Sequence, residues 1–97
     1  MPRHTVVIPI YPDVTQLDFT GPSQAFIQVP DLELIVASVG GRDVASADLT
    51  FTSLAKLEDI ERCDVLCVPG GDGCLPAAED PVYMAAIRRL AGSARYI

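Results

Sequence analysis

The sequence predicts an α/β domain in which helices cover both faces of a mostly parallel sheet. Short apolar runs at residues 5–10, 33–39 and 64–68 alternate with segments that have helix signals. These runs lack the polar-apolar alternation of a half-exposed strand, which is typical of parallel strands buried on both faces. Apolar residues make up 49% of the 97 positions, and this length suits one domain over residues 1–97.

The first strand is predicted at residues 5–10, with Pro9 near its end because proline cannot donate a ladder hydrogen bond. A loop then leads to Gly21-Pro22, where the proline favours the start of a helix. This helix is expected to run to about Val29 and to stop before Pro30. Its predicted apolar stripe consists of Pro22, Ala25, Phe26 and Val29.

A second strand is predicted at residues 33–39, closed by Gly40-Gly41. Two short pieces at 44–46 and 49–52 indicate a small β excursion. The third buried strand, at 64–68, leads directly into the glycine-rich segment 69–73.

A second helix is predicted to begin at Asp80, whose side chain can cap it, with Pro81 at its first position. Gly92 is expected to end this helix, and residues 94–97 to begin a further strand. The predicted apolar face comprises Tyr83, Ala86, Ile87 and Leu90.

The net charge of −6, from 7 basic and 13 acidic side chains, disfavours binding to nucleic acid or anionic lipid. No apolar run approaches the roughly 20 residues that span a bilayer, so no membrane segment is expected. Three cysteines, an odd number without paired metal spacing, indicate a reducing, cytoplasmic location and no metal site.

His4 is expected at the surface. Cys63 and Cys67 are expected to be inert in or beside a strand, whereas Cys74 could be inert or reactive.

Two segments carry groups that could do chemistry. Asp18 is expected in the loop after the first strand, where it could cap the helix or, if burial raised its pKa, transfer a proton. The segment around Gly70, Gly71 and Asp72 could be a plain turn or could present backbone N–H groups to a developing negative charge. It lacks the spacing of a dinucleotide-binding or phosphate-binding loop. Because both segments follow parallel strands, they are expected to meet at the carboxyl edge of the sheet.

These segments also carry a resemblance. Residues 11–22, which include Thr-Gln-Leu-Asp-Phe-Thr-Gly-Pro, together with residues 63–73 and 94–97, resemble in order and spacing the N-terminal half of isocyanide hydratase-like proteins. These belong to the PfpI, class I glutamine amidotransferase-like superfamily. The shorter Asp-x-x-Gly-Pro element also occurs in amidase-like sensor domains of AraC-type transcription regulators. The resemblance implies a flavodoxin-like three-layer sandwich, here incomplete at its C-terminal end.

For function, the resemblance implies hydration of an isocyanide, a small-molecule substrate, to a formamide by a cysteine nucleophile, without a cofactor. Asp18 would be the acidic partner of the cysteine. The loop of Gly70 and Gly71, beside Asp72, would polarise the substrate. Thr20 and Gly21 would support the start of the helix. The nucleophile is expected on an elbow just beyond Ile97, so this chain alone is expected to be inactive. Self-association, as a homodimer or less specifically, is also expected. The alternative is a sensor domain without turnover. Pro9 and Cys74 depart from the family pattern.

Overall fold

A parallel sheet forms the centre of the chain, whose residues 4–97 are described by a computed structural model. Its central strand β1 (His4–Pro9) pairs along its whole length with β2 (Leu32–Ser38). On its other side, β1 pairs with β6 (Val65–Leu66), and β5 (Ala55–Lys56) extends the sheet beyond β2. The order is β5-β2-β1-β6, with every pairing parallel, which confirms the predicted sheet. The two-residue strand β5 was not predicted.

Strand β1 supplies the middle of the hydrophobic core. Val6, Val7 and Ile8 are successive residues without exposed surface, so both faces of this strand are covered. Pro9 is the last residue of β1, as predicted. Val36 in β2 and Val65 in β6 are only partly buried, so the layers cover these flanking strands less completely.

The first helix differs from the prediction. Helix α1 (Gln16–Phe26) begins after Thr15, so Asp18 lies in its first turn instead of in a loop, and Pro22 lies inside it. Thr20 and Gly21 are therefore mid-helix residues and do not support a helix start. The helix begins early because it follows directly on an extended segment ending at Thr15, whose N–H group donates to the carbonyl of Gly70 in the loop after β6.

The predicted apolar stripe of α1 is also wrong in part. Ala25 and Val29 are exposed, and the helix ends at Phe26, before Val29. Phe19 is its buried anchor, with its ring edge against Phe51 at 4.8 Å between centroids. The partly buried Phe26 also packs against the core, while other apolar side chains of the helix remain in water.

The small β excursion is confirmed as an antiparallel hairpin of β3 (Val44–Ser46) and β4 (Leu49–Phe51). The hairpin contacts the segment between β1 and α1. The Ser46 hydroxyl donates to the Val14 carbonyl, the Asp13 N–H donates to the Ala45 carbonyl at 2.9 Å, and the Gln16 side-chain amide donates to the Ser46 carbonyl at 2.8 Å. This hairpin therefore braces the loop that leads to α1.

The C-terminal helix α3 (Pro81–Ser93) begins as predicted. Oδ1 of Asp80 accepts hydrogen bonds from the N–H groups of Val82 at 2.9 Å and Tyr83 at 3.3 Å. Its buried face contains Tyr83, Ala86 and Leu90, with Ile87 partly buried. Gly92 does not end the helix, which continues to Ser93.

Two further differences concern short elements. Helix α2 (Cys74–Glu79), which follows the glycine-rich segment, was not predicted. The strand expected at 94–97 is reduced to one parallel bridge between Tyr96 and Val65, with the Leu66 N–H donating to the Tyr96 carbonyl at 2.9 Å. None of the helices within residues 4–97 is long and apolar enough to cross a membrane.

Candidate active site

The segment after β1 and the segment after β6 meet at the carboxyl edge of the sheet. Val14 forms an antiparallel bridge with Gly71, and the Thr15 N–H donates to the Gly70 carbonyl at 2.9 Å. The Gly73 N–H donates to the Asp13 carbonyl at 3.3 Å. These bonds hold the start of α1 against the glycine-rich loop.

Asp18 lies directly against this loop. A methyl group built on the Cα of Gly70 would stand 3.0 Å from Oδ2 of Asp18, so the carboxylate occupies the space that a side chain at position 70 would need. The structure thus brings Asp18 and Gly70 together. Asp18 is exposed, however, so it does not lie in the buried environment that the predicted proton transfer required.

The two glycines present backbone donors beside this carboxylate. Within residues 4–97, the N–H groups of Gly70 and Gly71 donate to no backbone or side-chain oxygen. Two consecutive unpaired N–H groups can stabilise a developing negative charge. Asp72, the next residue, is exposed and lines a wide groove with Ser46 and Ala47.

The close packing of the loop explains its glycines. A Cβ at Gly71 would stand 2.5 Å from the Thr15 nitrogen and 2.7 Å from the Val14 Cα, and a Cβ at Gly73 would overlap the Pro12 carbonyl oxygen. Backbone atoms cannot rotate away as side chains can. Gly71 and Gly73 are therefore required by close backbone approach.

Two buried tyrosines support this edge of the sheet. The Tyr11 hydroxyl donates to the Pro69 carbonyl at 2.7 Å, and the Tyr83 hydroxyl donates to the Pro9 carbonyl at 3.1 Å. Their rings pack edge to face with centroids 5.8 Å apart. Burial raises the pKa of Tyr11, and negative charge on Cys74 or Asp18 raises it further. Both phenols therefore remain protonated donors near neutral pH.

Tyr11 was not recognised as a site residue from the sequence. It belongs to the segment 11–22 that carries the family resemblance, but its position one residue after a buried strand says nothing about its distant partner. The only local signal was a large aromatic residue at a strand end, immediately before the loop that contains Asp18.

The three thiols have different environments. Cys63 is buried and Cys67 is partly buried, and burial raises the pKa of both. Cys74 is exposed at the first position of α2. Within residues 4–97, no group of three or more His, Cys, Asp or Glu side chains could hold a metal ion. His4 is exposed, as predicted, with Nδ1 4.0 Å from Oδ2 of Asp64.

A separate cleft of about 290 Å³ opens between the sheet edge, the β3–β4 hairpin and the starts of α2 and α3. Neither Asp18 nor Gly70 and Gly71 line it. Its walls are mostly apolar and include Ile10, Tyr11, Val39, Val44, Pro76 and Tyr83. Tyr11 thus lies between this cleft and the glycine-rich loop.

No protein-family model matches the chain. It is 36% identical over 89 residues to "Isonitrile hydratase" of Pseudomonas putida, a match that covers 91% of this chain and 39% of that protein. A THiJ/PfpI family protein from Pseudomonas syringae has a crystal structure that superposes with a TM-score of 0.91 and 28% identity, over 100% of this chain and 41% of that one.

A putative transcriptional regulator from Vibrio parahaemolyticus superposes with a TM-score of 0.77 over 97% of this chain and 54% of its own. At 13% identity it shows a shared fold only. The chain spans about two fifths of the length of the isonitrile hydratase and of the THiJ/PfpI structure. These likenesses, with the parallel sheet and the order of the segments along the chain, identify the chain as PfpI-like and similar in sequence to part of the isonitrile hydratase.

Proposed function

We propose that this chain supplies the acid and the charge-stabilising groups of a site that hydrates an isocyanide, R–NC, to the formamide R–NH–CHO. The observation that carries the proposal is the contact of the Asp18 carboxylate with Gly70, beside the unpaired N–H groups of Gly70 and Gly71. The 36% identity to an isonitrile hydratase supports the choice of substrate class.

In the proposed reaction, a cysteine thiolate forms a bond to the terminal carbon of the isocyanide. Asp18 takes up the proton of the cysteine thiol and gives it to that carbon, and the loop N–H groups stabilise the negative charge that develops before this transfer. Water then adds to the carbon and the C–S bond breaks, which releases the thiolate. One water proton goes to nitrogen and the other passes through Asp18 to the thiolate, which restores the thiol and the Asp18 carboxylate.

The proposal places the nucleophile outside residues 4–97. Cys63 lies before β6, away from the carboxyl edge of the sheet, whereas Cys67 directly follows β6 and is partly buried. Burial raises the pKa of both thiols, which disfavours their thiolates. Cys74 is exposed but begins a helix of six residues and lies on no strand-to-helix elbow. The nucleophile is assigned to the part of the isonitrile hydratase that this chain does not span.

The test is fragment complementation. The chain is mixed with the remaining part of the Pseudomonas putida isonitrile hydratase and an alkyl isocyanide, and formamide is followed by NMR. We expect formamide from the mixture and none from the chain alone. Asp18→Asn should lower the rate by about 10²- to 10⁴-fold, whereas Asp48→Asn, an exposed carboxylate in the hairpin turn, should not. An active Asp18→Asn mixture, or formamide from the chain alone that depends on Cys74, contradicts the proposal.

The alternative is a sensor domain, which keeps the fold and Asp18 but performs no turnover. Such a domain would bind the isocyanide, with shifts of the Gly70 and Gly71 amide resonances, and yield no formamide even in the complemented mixture. The same samples therefore separate an enzyme from a sensor.

The proposal includes self-association, in a cytoplasmic setting. Leu17 in α1 is 74% exposed and Ile27 just after it is 67% exposed, while Tyr96 and Ile97 beside β6 are 63% and 80% exposed. Apolar surface of this extent favours contact with a second copy. Sedimentation of the same samples should show a mass that rises with concentration, and a monomer at every concentration would contradict this part.

A further inference from the structure

The first two peptide units of the glycine-rich loop, Pro69–Gly70 and Gly70–Gly71, each have their carbonyl held by a residue of the segment that follows β1. The Pro69 carbonyl accepts the Tyr11 hydroxyl at 2.7 Å, and the Gly70 carbonyl accepts the Thr15 N–H at 2.9 Å. In a planar trans peptide, the C=O of one residue and the N–H of the next point in opposite directions. Fixing the Pro69 carbonyl therefore fixes the direction of the Gly70 N–H.

We propose that Tyr11 is a positioning residue that aims the Gly70 N–H into the site, an inference that rests on the role given to this N–H in the proposed function. Glycine has the largest backbone freedom of any residue, so consecutive glycines need bonds from outside the loop to keep one orientation. A donor that is already oriented stabilises charge without reorganising during the reaction.

The surroundings of Tyr11 suit this role. Tyr11 is 4% exposed, and its ring is held edge to face by Tyr83 and lies against Gly73, where a Cβ would stand 3.2 Å from Cδ1 of Tyr11. Burial raises its pKa, so the hydroxyl keeps its proton and donates. A hydrogen bond to a peptide carbonyl in a buried environment also polarises the N–H of the same unit.

Thr15 holds the Gly70–Gly71 peptide unit in the same way, but the donor is its backbone N–H group. Only a substitution by proline would remove this donor. Tyr11 is the member of the pair whose hydrogen bond can be removed with little loss of packing, because Tyr11→Phe keeps the ring. Tyr83→Phe is the matched control. It removes a buried tyrosine hydroxyl of the same ring pair, whose acceptor, the Pro9 carbonyl, is not part of the loop.

The experiment measures backbone ¹⁵N order parameters in the 97-residue chain. We expect Gly70 near 0.85 in the unmodified chain, below about 0.6 in Tyr11→Phe, and unchanged in Tyr83→Phe. A Gly70 that stays ordered in Tyr11→Phe overturns the inference. Should Tyr11→Phe fail to fold, the unmodified chain still decides, because a Gly70 order parameter below about 0.6 with Tyr11 present also overturns it.

The complemented mixture gives the second readout. Tyr11→Phe should lower kcat by about 10-fold or more with KM unchanged, because it disturbs a donor used mainly in the transition state. An equal fall in Tyr83→Phe would indicate a general structural effect and would count against the inference. The two proposals fail separately: an active Asp18→Asn mixture removes the hydratase proposal and leaves the order parameters intact, whereas an ordered Gly70 in Tyr11→Phe removes only the role of Tyr11.

Discussion

Replacing Gly71 by alanine should destabilise the fold strongly, although it adds only one methyl group. The new Cβ would stand 2.5 Å from the Thr15 nitrogen, 2.7 Å from the Val14 Cα and 2.8 Å from the Asp13 carbonyl oxygen. Favourable contacts of carbon lie near 3.5 to 4.0 Å, so the two segments must separate by about 1 Å. That displacement weakens the Val14–Gly71 bridge and the hydrogen bond from Thr15 to Gly70.

The expected loss in the free energy of unfolding is about 2 to 4 kcal/mol, from overpacking and one weakened backbone hydrogen bond. Gly92→Ala is the matched control. A Cβ at Gly92 meets no atom within 4 Å, and the residue lies in α3, where alanine is favoured over glycine by about 0.5 to 1 kcal/mol. Both changes reduce the freedom of the unfolded chain alike, so their difference isolates the folded state.

Urea unfolding followed by circular dichroism measures both variants. With a slope of about 1 to 3 kcal/mol per molar urea, the Gly71→Ala midpoint should fall by about 1 M or more, and the Gly92→Ala midpoint should rise slightly. If Gly71→Ala unfolds at the same urea concentration as the unmodified chain, or if Gly92→Ala loses as much, the close packing of the two segments is wrong.

Two further predictions concern titrating groups. Burial raises the pKa of Tyr11 and Tyr83 in the folded chain above the unfolded value of about 10, so the stability they contribute is complete below about pH 10 and falls as the pH rises further. Urea midpoints from pH 7 to 11 should be level and then decline, less steeply in Tyr83→Phe, and a rise above pH 10 would contradict the burial. In a reaction with a thiol reagent followed by mass spectrometry, Cys74 should react fast and Cys63 and Cys67 slowly, because burial raises the pKa of the latter two. If a fast phase of the thiol reaction remains in Cys74→Ser, Cys63 or Cys67 must be accessible, and the sheet would then open readily.

The elements that the sequence predicted well have local causes. The run at residues 5–10 contains enough β-branched residues to define β1, and Asp80-Pro81 combines a capping side chain with a favoured first position, so the start of α3 is correct. The meeting of Asp18 with Gly70 was predictable from topology, because the carboxyl ends of neighbouring parallel strands share one edge.

The remaining elements depend on contacts that the sequence does not display. Pro22 is a strong signal for a helix start, but α1 begins at Gln16 because Thr15 is held by the carbonyl of Gly70. Strand β5 and helix α2 are too short for a periodic pattern and form where the chain packs on its neighbours. The exposure of Asp18 and the hydrogen bond from Tyr11 to Pro69 are set by side-chain positions, which no pattern of residue types records.

The hydrogen bonds of the two tyrosines link residues that are far apart along the chain, at a sequence separation of 58 for Tyr11 and Pro69 and of 74 for Tyr83 and Pro9. Contacts of such long sequence separation form only after large loops have closed, which slows folding and delays these contacts relative to local helix formation. During synthesis, the loop after β1 can contact the β3–β4 hairpin first, but its bonds to the glycine-rich segment form only after that segment has emerged and β6 has paired with β1. The geometry around Asp18 is therefore a property of the completed sheet, and any partial unfolding that detaches β6 removes it at once.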